Sequence, residues 1–221
     1  MQHVLPGDIE RTSMAIIDEE LMARGIELPA ACAAVVKRVI HATADFDYAE
    51  NLTFTERVVE QALAALRVGM PIVSDTNMAR SGISASTCEK LGIERLCFMA
   101  NPAIAEDARR DGTTRAVAAM HYATQTYPGA IYAIGNAPTA LFALADAMEA
   151  GVRPALVVGV PVGFVNVVEA KERVLAVCRA CKVPAIVALG RKGGSTVAAA
   201  ICNALLYEAT NALDPAARGW R

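Results

Sequence analysis

The second half of the chain alternates short apolar runs with longer alanine-rich ones, a pattern few folds accommodate. RLCFMA (95–100), AIYAIG (130–135), ALVVGV (155–160) and AIVALG (185–190) are each followed by a segment of helix length. Runs of this kind are buried strands, and strands separated by helices pair in parallel through crossovers. PIVSD (71–75) adds an earlier strand. The pattern predicts an α/β fold, a mostly parallel sheet with helices on both faces. Right-handed crossovers then put the C-terminal end of every strand on one edge, where such sheets bind ligands.

Five loops leave that edge: SDTNMARSG, ANP, GNAPTAL, GVPVGFV and GRKGGST. Glycine lets backbone N–H groups approach a ligand closely, and the helix N-terminus that follows favours an anion. The loops suit a carboxylate or a phosphate, although glycines also make ordinary strand-to-helix turns. Ahead of the sheet the spacing predicts an N-terminal helical segment. DIERTSMAIIDEELMARG forms one helix and PAACAAVVKRVIHATAD, after Pro29, a second. Thr53 and Glu56 in TFTE read as a capping box opening a third helix that runs to Gly69. At 221 residues the chain is expected to be one domain, 1–221, with a short C-terminal tail at about 212–221.

Charge narrows the partners. A net charge of -2 leaves no basic surplus for a phosphate backbone, so a nucleic-acid partner is not expected and a small molecule is. PALVVGVPVGFVNVV is interrupted by Pro161, Gly163 and Asn166, which argues against a membrane span. MQHVLPGDIERTS lacks a signal peptide's apolar stretch, so a cytoplasmic location is expected. Six cysteines then read as free thiols, including the CRAC pair at 178–181, which closes a helix instead of opening one and has no matching zinc ligands. No metal site is expected.

His41 ends an apolar helical run and precedes a cluster of acids. A helix C-terminus favours imidazolium, as does Asp45 at i+4 if the helix continues one more turn. The expectation is a histidine of raised proton affinity, a credible general acid. His3 lies near the terminus and His121 on the alanine-rich helix; both read as structural. No serine triad, HExxH, GxGxxG or GxxxxGK[ST] signature falls in the right place. The residues by themselves do not choose between a tetrapyrrole and a nucleotide.

ERTSMAII with Ser13, KRVIHA with Arg38 and His41, GMPIVSDTNMARSGI, GTTRAVAAM with Arg115, IGNAPTALFAL, GVPVGFVNVVEAK and GRKGGSTVAAAICNAL occur in this order. Together they resemble the precorrin-8X methylmutases (precorrin isomerases) of cobalamin biosynthesis, from about Asp8 to Leu206. Ala116 stands where many members carry serine, and the tail LDPAARGWR lies beyond the resemblance.

The resemblance implies an isomerase that moves a methyl group from C-11 to C-12 of precorrin-8X to give hydrogenobyrinate, with no cofactor. It implies that His41 is the catalytic acid, protonating a ring nitrogen so that a 1,5-sigmatropic shift proceeds. Ser13, Arg38, Arg115 and the backbone of Gly193, Gly194 and Ser195 would contact a substrate fringed with carboxylates, with Arg191 and Lys192 adding charge nearby. The implied assembly is a homodimer with its site close to the subunit interface, and hand-over of the corrinoid product to the next enzyme of the pathway is a further partner to test. Three alternatives are carried forward: the same chemistry on cobalt-precorrin-8 to give cobyrinate, a non-catalytic corrinoid carrier, and an unrelated α/β enzyme for a phosphorylated metabolite.

Overall fold

The computed structural model describes residues 5–219; His3 lies outside them. In chain order the elements are α1 (Pro6–Ala23), α2 (Ala33–Thr43), α3 (Tyr48–Asn51), β1 (Leu52–Phe54), α4 (Val58–Arg67), β2 (Ile72–Ser74), α5 (Asn77–Gly82) and α6 (Ala85–Lys90). There follow β3 (Arg95–Leu96), α7 (Pro102–Arg110), α8 (Arg115–Thr126), β4 (Ile131–Ile134), α9 (Pro138–Glu149), β5 (Leu156–Gly159), α10 (Val167–Cys181), β6 (Ala185–Ala188) and α11 (Ser195–Ala209). A 3₁₀ turn, Pro215–Arg218, follows them.

The six strands lie in the order β1-β6-β5-β4-β2-β3. All neighbours are parallel except β1 and β6, as the alternating pattern predicts for the five strands it identified. Side chains alternate across the sheet with period two. Ile131, Ala133, Val158 and Ile186 enter one core with α1, α2, α4 and α11. Tyr132, Ile134, Val157 and Val187 enter the other with α8, α9 and α10. Both faces are therefore covered by helices, and the four-residue strands β4, β5 and β6 are buried at every position.

β1 was not anticipated, and it displaces the capping box. Thr53 pairs with Val187 in the antiparallel ladder, and Thr55 exchanges hydrogen bonds with Ala185, its Oγ1 accepting from Ala185 N at 2.8 Å. The open edge of β6 recruits LTF as a strand, so α4 starts only at Val58, behind Arg57 in a left-handed conformation. The second helix also begins later than Pro29 suggests: residues 30–32 form a turn, and α2 opens at Ala33.

The helical layer over the first face is doubled. The apolar side of α2, Val35, Val36, Val39 and Ile40, packs on α11, and α1 lies outside α2. Among the described residues no helix is long and apolar enough to cross a membrane.

Candidate active site

From β2 the chain moves outward to β3, then returns to place β4, β5 and β6 on the other side. The strand order therefore reverses between β2 and β4, and sheets of this class open a crevice at that point beyond the strand ends. Asp75, at the end of β2, closes its floor. Its buried carboxylate accepts N–H bonds from Gly135, Asn136 and Ala137 at 2.8, 2.8 and 2.7 Å, holding the GNAPT loop after β4. Burial pushes the Asp75 pKa up while the three donors pull against it.

The start of α11 seats on this floor. Gly194, with φ +138°, leads into the helix, and its N–H donates to Val160 O at 2.8 Å. Ser195 Oγ lies 2.8 Å from Thr76 Oγ1. The approach requires glycine: a Cβ on Gly135 would sit 2.7 Å from Ser195 Cα, and one on Gly193 only 2.1 Å from Val160 O. The Gly193–Ser195 loop is thus placed at the sheet edge where its glycines predict, with the Ser195 hydroxyl shared with Thr76.

Lys171 holds the same loop from below. It falls on the apolar stripe of α10 between Ala170 and Val174 and is completely buried. Its Nζ donates to Gly190 O at 2.9 Å and Lys192 O at 2.7 Å, and burial pushes its pKa down from 10.5 to about 8. Lys192 itself turns outward and bonds Asp45 at 2.7 Å and Asp47 at 2.5 Å, tying the GRKGG loop to the segment after α2. His41 lies in the last turn of α2, four residues ahead of Asp45 in the chain.

His41 stands on the exposed side of α2 beside a half-hidden charge cluster. Glu10 of α1 receives Arg38 at 2.6 Å on one carboxylate oxygen and Arg218, from the 3₁₀ turn, at 2.6 Å on the other. Side-chain exposures of 13%, 7% and 8% for Arg38, Glu10 and Arg218 make these pairs more than surface decoration. Tyr207 of α11 lies under both guanidiniums, 5.4 Å from Arg38 and 4.3 Å from Arg218. Burial favours the neutral Glu10 carboxyl, but the hydrogen bonds from Arg218 and Arg38 outweigh it and keep the pKa below its ordinary 4.5.

The raised proton affinity expected for His41 is corrected by these neighbours. Its pKa is held below the ordinary 6.5, first by burial and then by the Arg38 charge, with Arg218 adding to it and Glu10 only partly offsetting it. Helix α2 stops at Thr43, where Ala44 takes a left-handed conformation, so Asp45 never comes under His41 at i+4. Asp45 is engaged instead by Lys192, whose hydrogen bond depresses its pKa. The lowered pKa of His41 favours the neutral imidazole.

The other expected residues fall into two groups. Arg38 shares a helix face with His41, as its spacing predicts, and Ser13 lies on α1 one turn beyond Glu10 with its hydroxyl donating to Ile9 O at 2.8 Å. Arg115 opens α8 on the opposite face of the sheet. It reaches the same edge, because its neighbour Thr114 lies 3.2 Å by side chain from Thr139 at the start of α9. Among the described residues Arg115 makes no ion pair. Arg191 lies over the ring of Phe164, which is 82% exposed.

Glu10, Asp75, Lys171, Tyr207 and Arg218 were not anticipated. Lysine at an apolar-stripe position was a readable signal for Lys171, and an acid closing an apolar strand was one for Asp75. The six cysteines are free, and burial drives Cys178 and Cys202 up to about 12, which leaves them inert at neutral pH. Among the described residues no group of three or more His, Cys, Asp and Glu side chains is placed to hold a metal ion.

The fold and the edge define a doubly wound α/β protein with glycine loops at one sheet edge and a histidine beside a half-hidden arginine–glutamate cluster. Its family follows from comparison with known proteins: the precorrin-8X methylmutase model matches residues 8–208, and the chain belongs to that family of isomerases. The cobalt-precorrin-8 methylmutase of Leptospira interrogans is 39% identical over 204 residues, 90% of this chain and 92% of that protein. The cobalt-precorrin-8 methylmutase of Salmonella typhimurium is 46% identical over 175 residues, 79% of this chain and 80% of that protein. The crystal structure of the precorrin-8X methyl mutase from Thermus thermophilus aligns with a TM-score of 0.82 at 40% identity, over 92% of this chain and 98% of that one.

Proposed function

We propose that this chain moves a methyl group from C-11 to C-12 of precorrin-8X, giving hydrogenobyrinate, with His41 as the acid. The observation that carries the reading is the placement of His41 beside the Arg38–Glu10–Arg218 cluster, at the end of the helix whose following segment Lys192 ties to the glycine loop. Arg38 lies one helical turn from His41, and its positive charge would draw a carboxylate of the macrocycle. A bound carboxylate neutralises that charge and raises the proton affinity of His41 at the moment an acid is needed. The imidazolium then protonates a ring nitrogen, the methyl group migrates within the electron-poor conjugated system, and the nitrogen returns its proton to His41. No atom is gained or lost, so neither an oxidant nor a second substrate enters.

Ser13, Arg115 and the Gly193–Ser195 backbone are proposed as further contacts to the carboxylate fringe. Arg115 opens a helix on the other sheet face from His41, so one macrocycle would have to span the edge or be shared between subunits. Exposed Phe164, Val165 and Met78, at 82%, 77% and 71%, are apolar surface near that edge and support a homodimer with its sites close to the interface. Cobalt-precorrin-8 is the second reading, favoured by the names of the Leptospira and Salmonella relatives.

The test is anaerobic incubation of catalytic amounts of protein with precorrin-8X, followed by visible spectrum and product mass. Many turnovers at unchanged mass support the isomerase. Bound pigment without conversion, on both precorrin-8X and cobalt-precorrin-8, refutes it in favour of a carrier.

A further inference from the structure

The C-terminal tail lies beyond residue 208, where the family match ends, yet it docks on α1 and reaches Glu10, the partner of Arg38. Asp214 caps the 3₁₀ turn by accepting from Ala216 N at 2.8 Å and also receives Arg11 of α1 at 3.3 Å. Pro215 is buried against the same helix layer. The turn delivers Arg218 to the oxygen of Glu10 that Arg38 leaves open, and Tyr207 packs beneath the guanidinium. An exposed tail that only needed solubility would not bury an arginine to 8% side-chain exposure on a carboxylate already paired with another arginine.

We propose that the tail is part of the active site, with Arg218 a positioning residue that fixes Arg38 through Glu10. Glu10 can orient one guanidinium on each oxygen only while both are present, because each bond holds the carboxylate plane for the other. Among the described residues the charged groups acting on His41 are Arg38 from its own helix, Glu10 from α1 and Arg218 from the tail. The inference rests on the reading of His41 as the site of chemistry.

The test compares the full chain with Arg218→Met, Arg218→Lys and Glu10→Gln, following the His41 imidazole titration by NMR and steady-state kinetics on precorrin-8X. Loss of the Arg218 cation should raise the His41 pKa and raise KM by about tenfold, with kcat less affected, and lysine should restore most of the KM. Loss of the Glu10 carboxylate should move the His41 pKa in the opposite direction, downward. A merely structural tail would let His41 relax upward toward its ordinary value in both variants. An upward shift in Glu10→Gln therefore overturns the proposal, and so does an Arg218→Met protein that matches wild type in both titration and KM. Glu10→Gln leaves two guanidiniums facing one another and can fail to fold, in which case the Arg218 pair decides. An active His41→Ala enzyme would refute the acid role while the Arg218 titration still stood, so the two failures are distinguishable.

Discussion

Replacing Gly135 by alanine probes the closest contact at the sheet edge. The added Cβ would lie 2.7 Å from Ser195 Cα and 3.0 Å from both Gly194 O and Ser195 N, all backbone atoms that cannot rotate away. Relief requires the start of α11 to retreat by about 1 Å, since unstrained carbon contacts lie near 3.5–4.0 Å. Overpacking of this kind costs about 1–3 kcal/mol, and at about 2–4 °C per kcal/mol for a chain of this size the melting temperature should fall by about 2–12 °C. A displacement of about 1 Å in the Gly193–Ser195 loop should lower kcat/KM by about a hundredfold. Gly159→Ala is the control, because its Cβ would meet only side chains of Leu141, Val174 and Val187 at 3.5 Å, an ordinary contact. Differential scanning fluorimetry and an anaerobic absorbance assay of corrinoid conversion read both effects. If Gly135→Ala melts with the wild type and keeps its kcat/KM, the close seating of α11 on the β4 loop does not organise the site.

Three further perturbations address the charges. His41→Ala should lower kcat by about 10²–10⁴-fold while retaining pigment binding by difference spectroscopy, the range expected for loss of one general acid; wild-type turnover would end that assignment. Glu10 has a folded pKa below its ordinary 4.5, so its contribution to stability is complete above that value and is lost as pH falls through the folded pKa. Urea unfolding below pH 4.5 should show wild-type stability converging on that of Glu10→Gln, which at pH 7 is the weaker by about 3 kcal/mol. Lys171 has a folded pKa near 8 against 10.5 unfolded, so between those values the unfolded chain binds more protons and this residue's contribution to stability increases with pH. Lys171→Met should lose that alkaline rise and, with two carbonyls left without their donor, melt below wild type at pH 7 by an amount corresponding to about 1–3 kcal/mol.

Much of the architecture was readable because it follows from where side chains meet water along the chain. The apolar runs at 71–75, 130–135, 155–160 and 185–190 contain β2, β4, β5 and β6, and the glycine loops behind them sit on the predicted edge. The arrangement of Arg38 with His41 was legible for the same reason, since residues three apart share a helix face. TFTE shows where local reading stops: its cap signal was sound in isolation, but the free edge of β6, far along the chain, offered Thr53 a ladder partner in Val187 instead.

The chemistry at His41 depended on distance of another kind. Arg38 meets Glu10 across 28 residues and Arg218 meets it across 208, and no periodicity encodes either pairing. The alternation of apolar and polar residues is a statement about burial, summed over neighbours along the chain, and it therefore determines strands, helices and the edge at which loops gather. A pKa is the field of a few charges at a few ångströms, and its sign at His41 was settled only when α1, α11 and the tail folded over α2 and brought two arginines and one glutamate to the same corner.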